Sequence, residues 1–208
     1  QLNQPNDTKA STFDNRSYKK IANEKGLPKA DFVLTSANSS TLDIKKGTVT
    51  ADALYQACEK MADKKTIKAF NITGKSLKNL AEMDASSADD ENGLYIHTLG
   101  MNFTYDIGRL PKNRLREQTV NGKDIDETAT YSVITDVETV KNIEESYLSL
   151  FGIDSIEFTS YDAGASEKSL TGINARELGT LWFEHVKNYF SNHSNIKLRQ
   201  EKTITDQY

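Results

Sequence analysis

The sequence predicts an α+β domain with mixed sheets, an antiparallel hairpin block and flanking helices. Helical and strand periodicities are intermixed along the chain, which indicates this class rather than a doubly wound sheet. The Asn121-Gly122 pair, set between RLREQTV and KDIDETATYSVIT, signals a tight hairpin, because both central positions of such a turn need positive φ. Near the end, ARELGTLWFEHVKNYF places Leu178, Leu181, Trp182, His185, Val186 and Tyr189 on one continuous apolar stripe.

The elements follow in order. The spacing predicts a helix over FDNRSYKKIANEKG, with Asp14 as its N-cap and Gly26 as its stop. DFVLTSA, from Asp31, is an apolar strand, SSTLDIKKG a loop, and TVTADALYQACEKM a second helix burying Leu54, Ala57, Cys58 and Met61. TIKAFNI is a strand ending at Thr73, which caps the helix GKSLKNLAEM. The acidic, small-residue run DASSADDENG reads as a solvated loop. Met101, Phe103 and Tyr105 then alternate with Asn102, Thr104 and Asp106, the period of a strand with one buried face. From Asp136 the pattern turns helical through Val137, Val140, Tyr147 and Leu148. SIEFTSY is a further strand, Asn174 caps the last helix, and IKLRQEKTI closes the chain as an edge strand. Nothing divides the sequence, so it reads as a single domain over residues 1–208, with residues 1–12 as a flexible lead-in.

Composition removes several function classes. A net charge of -4 leaves no broad basic field to displace counterions from phosphates, so nucleic acid is not expected as a partner. No apolar run approaches the roughly 20 residues of a membrane helix, and QLNQPNDTKAS lacks the pattern of a signal peptide. Cys58 is the single cysteine and falls on a helical apolar face, which makes it a small buried hydrophobe. Asn-X-Ser/Thr triplets begin at Asn6, Asn15, Asn38, Asn71, Asn102 and Asn192. They are glycan acceptors in a eukaryotic secretory pathway and chance products in an Asn-rich bacterial sequence.

The histidines His97, His185 and His193 are scattered, with no metal-ligand spacing among them, and neither a phosphate-cradling GxxxxGK[ST] nor a GxSxG occurs. His185 belongs to the apolar stripe as a core or boundary histidine. Tyr95, His97 and Leu99 share one side of a strand ending in glycine, where an aromatic beside an imidazole either lines a pocket or is plain sheet surface. Arg109, Lys112, Arg114 and Arg116 form a basic turn, read as solvated edge protection with phosphate binding as the alternative.

Taken together, ADFVLTSAN, GTVTADALY, FNITGKSLKNLAE, LYIHTLGMNFTYD and NGKDIDETATYSVIT resemble, in that order, the C-terminal domain of the 5'-nucleotidase family, metallophosphoesterases that include UDP-sugar hydrolases and 2',3'-cyclic phosphodiesterases. The likeness runs from about Asp31 to Thr135 and implies a 5'-nucleotidase C-terminal-domain-like fold. It further implies a substrate-binding domain of a hydrolase of nucleotide catabolism, extracellular, at the cell surface or periplasmic. The expected partners are a nucleotide or related phosphoester and an N-terminal metallophosphoesterase domain. No cofactor is expected in this chain; a divalent metal pair is expected in that N-terminal domain. No catalytic residue is expected here, and the chain alone should hydrolyse nothing.

In the family, aromatic rings stack the base while arginines and an aspartate hold the nucleotide. The first stacking ring falls on Tyr95, with His97 two residues on along the same face. The family's Asn-Gly-rich loop with its arginine falls on SANSSTLD, where Asn38 lies nearby and Thr41 stands where the arginine is expected. EKMADKK replaces a proline-phenylalanine segment before TIKAFNI, the GGDG turn after YSVIT is missing, and Glu138 stands approximately where the second ring would be. Three readings stay open: a working phosphoesterase with a rebuilt pocket, a degenerate scaffold for protein contact or surface display, and a free-standing binding module.

Overall fold

The computed structural model describes residues 2–3, 9–36, 50–62, 66–89, 96–150, 156–160, 173 and 175–192. In chain order its elements are β1 (Leu2–Asn3), α1 (Lys9–Glu24), β2 (Phe32–Ser36), α2 (Ala51–Ala62), β3 (Ile67–Thr73), α3 (Gly74–Ser86), β4 (Ile96–Leu99), β5 (Met101–Tyr105), β6 (Leu115–Val120), β7 (Lys123–Asp124), β8 (Thr130–Asp136), α4 (Val137–Leu150), β9 (Phe158–Ser160) and α5 (Ala175–Asn192). The strands form two sheets, ordered β4-β2-β8-β3-β9 and β1-β5-β6-β7. In the first, β2 and β8 run parallel while every other pair is antiparallel, the mixed architecture expected.

Alternation along the strands sorts the core into two bodies. Val33, Ile67, Ala69 and Ile134 face one side of the five-stranded sheet, where Tyr18 and Ile21 of α1, Leu54 and Cys58 of α2, and Leu178, Trp182 and Val186 of α5 cover them. Phe32, Leu34, Ile72, Val133 and Ile96 face the other side, packing with Leu77 and Leu80 of α3 and with Met101, Phe103 and Tyr105 of the second sheet. Helix α3 thus lies in the core common to both sheets. The buried stripe of α5 is as predicted at Leu178, Trp182 and Val186, with the Trp182 ring 5.4 Å from that of Tyr18. Cys58 is buried and, as the single cysteine, forms no internal disulfide.

Helix ends follow their signals in part. Leu27 N–H bonds Ala22 C=O and Gly26 N–H bonds Asn23 C=O, a Schellman closure of α1 at the predicted glycine. Its start differs: Asp14 is not the cap, because Lys9–Thr12 holds no glycine or proline and the helix continues back to Lys9. Thr73 caps α3 by accepting the Ser76 N–H at 3.2 Å. Asp136 caps α4, its two carboxylate oxygens accepting Thr139 N–H at 2.7 Å and Thr139 Oγ1–H at 2.8 Å. The predicted cap Asn174 and the predicted strand IKLRQEKTI lie outside the described residues.

Two further readings are corrected. The run beginning at Asp84 is not wholly a solvated loop: α3 continues to Ser86, and Asp84 has no exposed surface. Leu77, Leu80, Ala81 and Asp84 fall at i, i+3, i+4 and i+7, so the carboxyl sits on the apolar stripe that its composition disguised. Val137, expected on the buried face of α4, is 40% exposed; Val140 and Ile143 form that face instead.

The stretch Ile96 to Tyr105 is not one strand. At Gly100, with φ of +102°, the chain leaves the five-stranded sheet and joins the other. A Cβ there would lie 2.9 Å from the Asp31 carbonyl oxygen, so the crossing needs glycine on both counts. The predicted hairpin turn locks the crossing: Asn121 N–H bonds Gly100 C=O at 2.7 Å, and the Asn121 side-chain amide donates to Asp31 C=O at 3.0 Å. Asn121 and Gly122 have φ of 51° and 76°, as the turn requires. The second arm of this hairpin is only Lys123–Asp124, after which the chain returns to the first sheet as β8.

Candidate functional site

At one edge of the five-stranded sheet lie β2, which precedes Asn38 and Thr41 in sequence, and β4, which follows Tyr95 and carries His97. Strands β2 and β4 pair antiparallel, with Ser36 opposite Ile96 and Thr35 opposite His97. The chain leaves β2 after Ser36 toward Asn38 and Thr41, and it enters β4 directly after Tyr95. Asn38, Thr41 and Tyr95 themselves lie outside the described residues. His97 is described and half-buried; with Leu99 it shares the side of β4 that faces the α1 layer, opposite to Ile96.

Behind this strand end sits Asp84. Its Oδ1 accepts the Ile96 N–H at 2.7 Å, while Oδ2 is buried with no hydrogen-bond partner. Burial pushes its carboxyl up to about 8, against the lowering effect of the Ile96 hydrogen bond, so at neutral pH the protonated form is favoured. Sequence reasoning missed this residue because a run of Asp, Ser and Ala resembles a loop. Its i+7 relation to Leu77 was the available signal.

The basic turn is not solvated edge protection throughout. Arg114 is 4% exposed, and its guanidinium donates to the backbone carbonyls of Arg109, Ala85 and Ser86 and to the Asp89 carboxylate. Glu82 of α3 accepts the backbone N–H groups of Arg114 and Leu115 at 2.9 and 2.7 Å, and Ser86 Oγ accepts that of Lys112 at 2.8 Å. Arg109 and Arg116 both engage Asp106, and the Arg116 hydrogen bond is the main cause holding that carboxyl below its usual range. These three arginines are therefore committed within the protein. Beside the exposed Lys112 and Asn113, the turn presents two large apolar side chains to solvent: Leu110 is 81% exposed and Ile107 44%.

A cleft of about 410 Å³ lies at the opposite end of the sheet, lined by Asn71, Thr73, Lys75, Ser76, Thr130, Glu157 and Thr159 among others. It adjoins the N-terminus of α3, whose first donors are already taken: Gly74 N–H by Ala129 C=O, Lys75 N–H by Glu127 C=O and Ser76 N–H by Thr73. It offers no ready anion cradle. His185 pairs with Glu24 at 3.3 Å between α5 and α1, a boundary histidine as expected. His193 lies outside the described residues. Among the described residues no group of three His, Cys, Asp or Glu side chains is placed to hold a metal ion.

Comparison with known proteins is consistent with this geometry. The family model described as 5'-nucleotidase, C-terminal domain, matches residues 8–137. The 5'-nucleotidase precursor from Thermus thermophilus is similar in structure, with a TM-score of 0.57 and 16% identity over 88% of this chain and 33% of that one. The Haemophilus influenzae NAD nucleotidase gives a TM-score of 0.52 and 16% identity over 85% of this chain and 30% of that one. A sulfate thiohydrolase from Thermus thermophilus, solved with glycerol, gives 0.50 and 16% over 85% and 29%. At such identities the likeness is one of fold, and the chain spans about a third of the length of these structures. No curated protein sequence matches the chain significantly.

Proposed function

Because the chain belongs to the 5'-nucleotidase C-terminal domain family, we propose that it is the nucleotide-binding domain of a 5'-nucleotidase-type metallophosphoesterase whose metal pair is carried by a separate N-terminal domain. The observation that supports this most is the pairing of Ser36 with Ile96, from which the chain runs on in sequence to Asn38 and Thr41 and back to Tyr95. Tyr95 stacks the base, with Asn38, Thr41 and His97 at its rim. A metal pair supplies an activated water and polarises the phosphate when bound. In this reading the metal pair belongs to the N-terminal domain, and this chain's part is recognition. The parent protein acts on a nucleotide or related phosphoester outside the cytoplasm, at the cell surface or in a periplasm. Among the described residues no helix is long and apolar enough to cross a membrane.

A single aromatic stack contributes about 1 to 3 kcal/mol. With Glu138 exposed on α4 where a second ring is expected, binding to the isolated domain is weak, near millimolar. Titration of AMP and adenosine against isotope-labelled protein tests this. The amides around residues 95–98 and 36–41 should shift, and Tyr95→Ala should abolish the response. Shifts clustered elsewhere, or undiminished binding by that variant, overturn the assignment.

A second reading is favoured by the rigidly held turn with Leu110 and Ile107 at its surface: a scaffold that contacts protein and no longer takes nucleotide. No amide response at saturating nucleotide would select it.

A further inference from the structure

The edge strand β4 has four residues and one strand neighbour, so little in its own pairing defines where it starts. Side chains alternate along a strand, and a slip of one residue against β2 would carry His97 from the α1 side to the α3 side, with Ile96 going the other way. The far end of β4 is pinned by the crossing at Gly100. At the near end, α3 contributes the Asp84 carboxyl, 2.7 Å from the Ile96 nitrogen. Ile96 is 1% exposed and Asp84 is fully buried, so no water replaces that acceptor without rearrangement.

We propose that Asp84 is a positioning residue for the binding edge, fixing the register of β4 on β2 and hence the side on which the strand presents His97. The ligand in this proposal rests on the nucleotide reading above; the register does not. A purely space-filling residue at position 84 would be apolar, like Leu77 and Leu80 on the same stripe. A carboxyl with one oxygen committed to Ile96 and the other buried unpaired is costly packing, and is explained by what the first oxygen holds. Among the described residues, the nearby charged side chains of α3 and the turn are engaged elsewhere. Glu82 engages Arg114 and Leu115, Asp89 engages Arg114, His97 lies on the opposite side of β4, and α4 contributes Ile143 to this core.

The test compares Asp84→Asn, which keeps an acceptor for Ile96, with Asp84→Ala, which does not, by amide spectra and AMP titration, folding being confirmed by the circular dichroism of the Trp182 environment. Asp84→Asn should leave the Ile96 to Thr98 amides near their parent positions and AMP affinity within about twofold; Asp84→Ala should displace those amides and weaken AMP at least fivefold. In the parent the Ile96 amide proton should titrate with Asp84 as pH rises, and in Asp84→Asn it should not. If Asp84→Ala cannot be purified folded, the titration of Ile96 and its loss in Asp84→Asn decide the matter. Unmoved Ile96 and His97 amides in Asp84→Ala, or a flat Ile96 titration in the parent, overturn the proposal. If the parent binds no AMP, the nucleotide reading fails and the amide results alone judge the register role.

Discussion

Replacing Arg114 with methionine separates two readings of the same residue sharply. As a solvated turn charge, it would change stability by no more than about 0.5 kcal/mol. In the structure its guanidinium satisfies the carbonyls of Ala85 and Ser86 at the buried C-terminal end of α3, ties the turn through Arg109 C=O and pairs with Asp89. Methionine fills similar space and leaves those acceptors without donors. A buried acceptor left unsatisfied costs about 1 to 3 kcal/mol, and removing one partner of a buried ion pair about 3 to 5. Asp89 is 54% exposed on its side chain and recovers water, so the loss should sit near the carbonyl terms, about 3 kcal/mol in all. Urea unfolding followed by fluorescence of Trp182, the single tryptophan, reads this directly, with Arg116→Met as the control. Arg116 pairs with Asp106 at a surface where such bonds contribute about 0 to 1 kcal/mol. Equal, small losses for both variants would refute the buried clamp.

The other expectations are as distinct. Trp182→Ala should cost about 3 to 5 kcal/mol in urea unfolding followed by far-UV circular dichroism, since the ring is 1% exposed in the α1–α5 core. Gly100→Ala should cost roughly 2 to 4 kcal/mol, adding a Cβ at positive φ against the Asp31 carbonyl, whereas Gly108→Ala on the exposed turn serves as a mild control. The Asp84 carboxyl, raised by burial, stabilises the fold fully below the ordinary carboxylate pKa and loses that contribution as pH rises through about 8. The stability of the parent minus that of Asp84→Asn should therefore fall steadily as pH rises from about 4 to about 8, and a flat difference would place the carboxyl in water. Incubated with nucleotide mono- and diphosphates and divalent metals, the chain should release no phosphate above buffer; activity that copurifies with it would contradict a purely binding role.

Where a local rule determined the structure, the sequence could be read almost residue by residue. Thr73 caps its helix, Gly26 closes another, and Asn121-Gly122 turns a hairpin because each depends on atoms within a few positions. The errors arose where a distant element decides. Asp84 and Arg114 are ionisable residues that local composition assigns to solvent. Each is buried because a segment some 12 or 29 positions away supplies or needs its hydrogen bonds. Gly100 was visible as a strand end, but that it transfers the chain between sheets depends on Asp31 and Asn121, neither of which a period-two pattern can contain.

The candidate site combines both kinds of information. Period two placed Tyr95 and His97 on one side of a strand, and the structure adds that Ser36 and Ile96 face each other, so the segment carrying Asn38 and Thr41 starts beside that strand. Neither fact identifies the ligand: similarity of fold extends to a nucleotidase and to a sulfate thiohydrolase, so the scaffold is compatible with different chemistries. What the fold does supply is a rigid floor. The edge is held at one end through Gly100 and at the other through Asp84, from two different layers of the protein.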